Sequence, residues 1–126
     1  MEYKNIQQIL SEAMDKNAAL VVATGNKEAM LKKWAVFDSV VIEGINQLRL
    51  REAVLKTGDI LDEDEETGAI TAVIPTGSMN ASRALVVARI GEDGVEFAGF
   101  FKEGLIRQNG ALHAIERIKD QLTHYR

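Results

Sequence analysis

The sequence predicts an α+β domain with N-terminal helices, then an antiparallel sheet of three or more strands with a central hairpin over 84–101, then a C-terminal helix. Three observations lead to this fold class. Apolar residues recur at helical spacing in the first half of the chain, β-rich apolar runs lie between about residues 69 and 101, and a second helical stripe ends the sequence. Helices segregated from a run of strands are typical of α+β domains, whereas α/β domains alternate the two.

The composition indicates one globular unit that spans residues 1–126. The chain is 46% hydrophobic and 27% charged, with ten glycines and one proline, which is the profile of an ordinary soluble domain. No internal repeat, low-complexity tract or linker interrupts it. At this length about two-thirds of the unfolded chain's surface is buried on folding, which is enough for an independent core.

The charge balance and the missing cysteines narrow the classes of partner. A net charge of −4 argues against general nucleic-acid binding and against binding to an anionic membrane surface. The absence of cysteine excludes disulfides and thiolate chemistry. The first residues are polar and no apolar run reaches the ~20 residues of a membrane span, so we expect a cytoplasmic protein.

The N-terminal elements are a helix and a short apolar run. From Tyr3 to about Lys16 the apolar residues fall on one helical stripe. The run at 20–24 is rich in β-branched residues, which favours a buried strand, and Asn26 is a suitable N-cap for the next helix. The stripe consists of Ile6, Leu10, Ala13 and Met14.

The segment 27–56 carries the strongest helical pattern in the chain, because its apolar residues step by three or four. We interpret it as one helix of about 30 residues or as two helices with a break near Gly44. Lys56 followed by Gly58 predicts the C-terminal end. The stepped residues are Met30, Trp34, Phe37, Val41, Ile45 and Leu48.

The second half of the chain predicts strands and a last helix. After an acidic connection over 59–66, the apolar run 69–74 ends at Pro75, a strand breaker. The two runs of the 84–101 hairpin flank a short turn with glycine at both ends. The last helix begins near Asn109.

The second hairpin strand is apolar on both faces. Phe97 and Phe101 share one face, and Phe100 points to the other. This strand is therefore either sandwiched between helices or paired with another subunit.

The connection over 75–83 is the candidate binding loop. It supplies hydroxyls, an amide, a glycine and a guanidinium within nine residues. Small residues let backbone N–H groups approach a ligand, while hydroxyls and a guanidinium hold phosphate or carboxylate oxygens. The alternative is an ordinary polar connection whose side chains satisfy their own backbone. The candidate ligand-binding residues are Thr76, Ser78, Asn80, Ser82 and Arg83, with Arg107 before the last helix as a helper.

Other polar segments have simpler explanations. The segment 24–27 lacks the spacing of a nucleotide-binding P-loop, so helix capping explains it. The acidic run 62–66 imitates the start of a calcium loop, but its glycine is one position late and position twelve carries no carboxylate. His113 and His124 stand three helical turns apart, too far to share a metal. We therefore predict no metal, cofactor or catalytic residue.

The sequence favours a non-enzymatic, self-associating binding protein that takes a small anionic, nucleotide-like ligand on the 76–83 loop. Self-association would cover the two-sided apolar helix and strand, so we expect a homo-oligomer. One alternative is an adaptor or inhibitor module that binds a protein partner through its acidic turn and apolar helix. A further alternative is a small hydrolase or transferase in which Arg83 neutralises a phosphorylated substrate.

Overall fold

The computed structural model describes residues 5–17, 27–75, 83–101 and 109–123, and this part of the chain forms four helices and five strands. It confirms the predicted α+β class with its central hairpin and C-terminal helix. None of the described helices is long and apolar enough to cross a membrane. In chain order the elements are α1 (Ile6–Lys16), α2 (Lys27–Trp34), β1 (Ala35–Val41), α3 (Gln47–Thr57), β2 (Asp59–Glu63), β3 (Ile70–Pro75), β4 (Arg83–Ile90), β5 (Gly94–Phe100) and α4 (Gly110–Thr123).

The five strands form one antiparallel sheet in the order β1-β5-β4-β3-β2. β4 and β5 are the predicted hairpin, and Gly91 N–H closes their turn with a 2.8 Å hydrogen bond to the Gly94 carbonyl. β1 and β2 are the two edge strands, and the chain passes from one edge to the other through α3.

Helices of the same chain cover both faces of the sheet. α1 packs on one face, over a cluster that includes Leu85, Val87 and Phe100. α3 and α4 pack on the other face, over a cluster that includes Phe97, with Phe101 against it. The predicted division of the three phenylalanines is confirmed, and β5 is sandwiched between helices. Its two apolar faces therefore give no argument for another subunit.

Residues 35–41 form strand β1, so the helical interpretation of 27–56 is wrong over this stretch. Val36 and Val40 pack against the core on the α3/α4 face, whereas Phe37 and Val41 lie on the other face and are 47% and 79% exposed. A spacing of four residues fits one helical turn and also two full repeats of a strand, so the stepped pattern did not distinguish them.

The turn after β1 divides the segment where the sequence allows a break. Gly44 takes φ +74°, and α3 begins after Asn46, whose side chain accepts a 2.8 Å hydrogen bond from Arg49 N–H. The segment is thus helix, strand and helix. The long two-sided helix that supported self-association does not exist, and that argument for a homo-oligomer is lost.

The predicted acidic connection over 59–66 contains strand β2, which is a second correction. The side chains of Asp59 and Asp62 are exposed, because an edge strand pairs its backbone on one side and leaves its carboxylates in water. Gln47 on α3 donates to Glu63 Oε2 at 3.1 Å and to the Gly68 carbonyl at 2.9 Å. These bonds tie the turn after β2 to α3.

The end of α3 lies where the sequence predicts it, but for a different reason. Gly58 has φ −172°, which is extended backbone rather than a left-handed cap. A Cβ at Gly58 would lie 2.3 Å from the Val73 carbonyl oxygen on β3. The glycine therefore permits the close approach with which the chain enters β2.

Candidate functional site

The structure places the two ends of the candidate binding loop but not its centre. Thr76, Ser78, Asn80, Ser82 and Arg107 lie outside the described residues. Pro75 ends β3 and Arg83 begins β4, and the two residues are register partners. The site can therefore be built from the strand ends and from what packs beside them.

Arg83 lies on the α1 face of the sheet. Every second residue of a strand points to the same face, and Leu85 and Val87, two and four positions further along β4, belong to the cluster under α1. Its side chain is half-exposed, and its Nη1 lies 3.5 Å from Asp59 Oδ2 on β2. An exposed ion pair of this length contributes little in water. The Arg83 guanidinium therefore remains available to a stronger anion.

Arg117 is a second arginine at the same end of the sheet, and the sequence did not indicate it. It lies on α4, on the opposite face, and its Nη1 donates a 2.9 Å hydrogen bond to the Pro75 carbonyl. Forty-two positions in sequence separate Arg117 from Pro75, so no local sequence pattern could predict this contact. Two guanidinium groups thus lie at this end of the sheet, one on each face.

A broad concavity of about 1080 Å³ lies at the other end of the β4–β5 hairpin. Arg89 in its lining is only 4% exposed, and its Nη2 donates a 2.7 Å hydrogen bond to Glu96 Oε1. Exposed carboxylates of Glu92 and Asp93 stand at its turn. The charge of Arg89 is balanced by Glu96, so this pair belongs to the architecture of the hairpin.

The sequence carries a signal for this pair that the predictions above do not use. Apart from Arg83 at the start of β4, Arg89 and Glu96 are the charged residues of the two strands, at positions that the short hairpin turn sets opposite each other. Register counting from the turn would have paired them.

Asp38 on β1 and Lys119 on α4 form a third ion pair, with Nζ 2.9 Å from Oδ2. Burial pushes the pKa of Asp38 up, but hydrogen bonds from Lys119 and from Ser39 N–H, with the Lys119 charge, outweigh it and lower that pKa. The hydrogen bond to Asp38 raises the pKa of Lys119. Both groups are therefore held in their charged forms.

The remaining candidates do not come together. His113 is exposed on α4, and His124 and the segment 18–26 lie outside the described residues. In the described ranges, no group of three or more histidine, aspartate or glutamate side chains is arranged to hold a metal ion. The end of the sheet flanked by Arg83 and Arg117 is thus the described region that best matches the predicted ligand.

Comparisons with protein-family models, with curated proteins and with solved structures give no match to this chain.

Proposed function

We propose that the protein is a non-enzymatic binding protein that holds a small anionic ligand, such as a nucleotide, where β3 and β4 are connected. The proposal rests on the placement of Arg83 and Arg117 at this end of the sheet, one on each face. Guanidinium groups form paired, charge-assisted hydrogen bonds with phosphate and carboxylate oxygens. The sequence between the two strands is rich in hydroxyl side chains, which are neutral hydrogen-bond donors.

The chemistry of these residues suits binding better than turnover. Arginine keeps its proton at all working pH values, so it neutralises charge but is a poor general acid or base. Asp59, the carboxylate beside Arg83, is exposed to water and paired with that arginine, whereas a general base has to be positioned against the proton that it abstracts. The hydrolase alternative therefore lacks support from the described part of this site.

Native mass spectrometry of gently purified protein is the first test, since a retained ligand reveals its mass. Isothermal titration calorimetry with ATP and with inorganic pyrophosphate then gives dissociation constants. We expect Arg83→Ala to weaken binding roughly tenfold to a hundredfold, because a hydrogen bond to a charged group contributes about 1.5–3 kcal/mol. Arg117→Ala should also weaken the binding of both probes.

Arg51→Ala is the matched control for Arg83→Ala. Arg51 is also half-exposed, and it pairs with Glu63 at 3.1 Å on the same strand, β2, that provides Asp59 to Arg83. The control should bind both probes as the wild type does. Absence of binding to either probe, or equal losses in the two variants, contradicts the proposal. Conversion of ATP or pyrophosphate by the wild type contradicts the non-enzymatic part of it.

A second candidate function is the adaptor alternative, which the exposed apolar residues of α3 favour. Leu48 and Leu55 stand seven residues apart, so they share one side of the helix, and both are more than half-exposed. This alternative predicts that the wild type binds neither ATP nor pyrophosphate. Leu48→Lys would then abolish binding to a protein partner, while Arg83→Ala would leave it intact.

A further inference from the structure

The outer side of β1 has unusual properties for a sheet edge. β1 pairs with β5 on one side, and the described residues provide no strand on the other side. Phe37 and Val41 on this strand are among the exposed large hydrophobic residues of the chain. Exposed backbone and exposed apolar side chains together form a template for another strand.

The hydrogen bonds of β1 show which backbone groups face outward. Ile42 N–H donates to the Asp93 carbonyl at 3.2 Å, so this position faces the β5 side. In an antiparallel pair the direction alternates along the strand, so Phe37, Ser39 and Val41 direct their N–H and carbonyl groups to the open side. The Ser39 N–H is already satisfied by Asp38 Oδ1 at 2.8 Å. Phe37 and Val41 therefore offer the outward backbone donors around the centre of the strand.

The two ends of β1 carry opposite charges, which favour an antiparallel partner strand with the same distribution of charge. The exposed residues Lys32 and Lys33 precede β1, with Lys33 Nζ 4.9 Å from the centre of the Trp34 ring. The opposite end is acidic, because Glu43 follows the strand and the exposed Asp93 lies beside it. An antiparallel second copy would bring each basic end against an acidic end, whereas parallel pairing would bring like charges together.

We propose that β1 pairs antiparallel with β1 of a second copy, about a two-fold axis at Ser39. In this register Phe37 of each copy lies opposite Val41 of the other, which gives two apolar cross-strand pairs. Asp38 does not oppose the pairing, because its side chain lies on the α4 face and is neutralised by Lys119. The two five-stranded sheets would become one continuous sheet. The proposal is independent of the anion site, which lies at the β3–β4 connection.

Sedimentation equilibrium of the full chain at several concentrations tests the proposal. The wild type should be a dimer, and Val41→Lys should raise its dissociation constant roughly tenfold or more, because the change occurs twice in the symmetric interface. Leu61→Lys is the matched control, since Leu61 is 40% exposed on β2, at the opposite edge of the sheet. It should leave the dissociation constant unchanged.

A crosslinking experiment tests the register without relying on a disruptive variant. The chain has no cysteine, so Ser39→Cys introduces a single thiol at the predicted axis. A short bis-maleimide should link two Ser39→Cys chains efficiently and two Asp62→Cys chains poorly, since Asp62 is exposed on β2, at the opposite edge of the sheet. A monomeric wild type, a Val41→Lys variant that dimerises as the wild type does, or equal crosslinking at both positions overturns the proposal.

Discussion

The two edge strands of the sheet, β2 and β1, differ in length, regularity and charge. β2 has five residues, its register with β3 shifts between Ile60 and Asp62, and it carries Asp59, Asp62 and Glu63. β1 has seven residues in unbroken register with β5, and its charged residue, Asp38, is paired with Lys119. Short length, irregular register and exposed charge are the usual protections of a free sheet edge.

This difference indicates what each edge is suited to. β2 is protected against pairing with another strand, because that strand would have to accommodate a bulge and several exposed carboxylates. β1 has none of these protections, and it exposes Phe37 and Val41 instead. The same sheet thus has one edge that resists pairing and one that favours it, as the proposed dimer requires.

Gly94→Ala is the most disruptive way to break the comparison, because it attacks the attachment of β1 to the sheet. A Cβ at Gly94 would lie 2.0 Å from the Val40 carbonyl oxygen and 2.7 Å from the Ile42 nitrogen. These are backbone atoms, so the end of β1 would have to separate from β5. We expect the free energy of unfolding, measured in urea, to fall by about 3 kcal/mol or more, and the dimer to weaken.

Gly44→Ala is the control for Gly94→Ala at the same end of β1. Gly44 has no heavy atom within 4 Å of the position where a Cβ would be, but its φ is +74°. An alanine there pays mainly for the left-handed backbone, which costs about 1 kcal/mol. Equal losses in the two variants would contradict the steric argument.

The same two edges show how far the sequence predicts the fold. Strands β3, β4 and β5 were found because they are nearly continuous apolar runs bounded by Pro75, glycine turns or polar residues. The sequence predicts a connection in place of β2, because an exposed edge strand needs few apolar residues. It predicts a helix in place of β1, because Phe37 and Val41 are spaced by four residues, a spacing that fits both helix and strand.

The candidate site was predictable to a smaller degree. The sequence predicts Arg83 as the last residue of the binding loop, directly before the strand of the 84–101 hairpin, whereas in the structure Arg83 is the first residue of β4. Asp59 and Arg117 could not be predicted at this end of the sheet, because the fold brings their elements there over long separations in sequence. The sequence therefore indicates one arginine of the proposed site, and the packing of α4 adds the other.

Asp62→Val sharpens the comparison by removing one of the protections of β2. The variant places an apolar residue beside Leu61, which is already 40% exposed, on a strand whose outer backbone is open. In sedimentation velocity we expect the proposed dimer to form larger assemblies at high concentration. A second edge strand that can pair with another chain allows dimers to associate end to end, without the closed symmetry that limits a dimer to two copies. Asp120→Val makes the same change at an exposed position of α4 and should remain dimeric. Identical behaviour of the two variants would contradict the protective role of the β2 charge.

The Asp38–Lys119 pair, which keeps the charge of β1 neutralised, should give the smallest effect. The lowered pKa of Asp38 means that its contribution to stability is present above the unfolded pKa of about 3.9 and is lost as pH falls through the folded value. The raised pKa of Lys119 means that its contribution is present below the unfolded pKa of about 10.4 and is lost as pH rises through the folded value.

Both side chains are partly exposed, so we expect Asp38→Asn to lower the free energy of unfolding by less than about 1 kcal/mol at pH 7. Urea unfolding at one fixed protein concentration should show that difference between about pH 5 and pH 9 and its disappearance below the folded pKa of Asp38, with Asp120→Asn as the control for a lost carboxylate. A difference that persists once Asp38 is protonated in the folded protein would mean that Asp38 stabilises β1 through packing rather than through its charge.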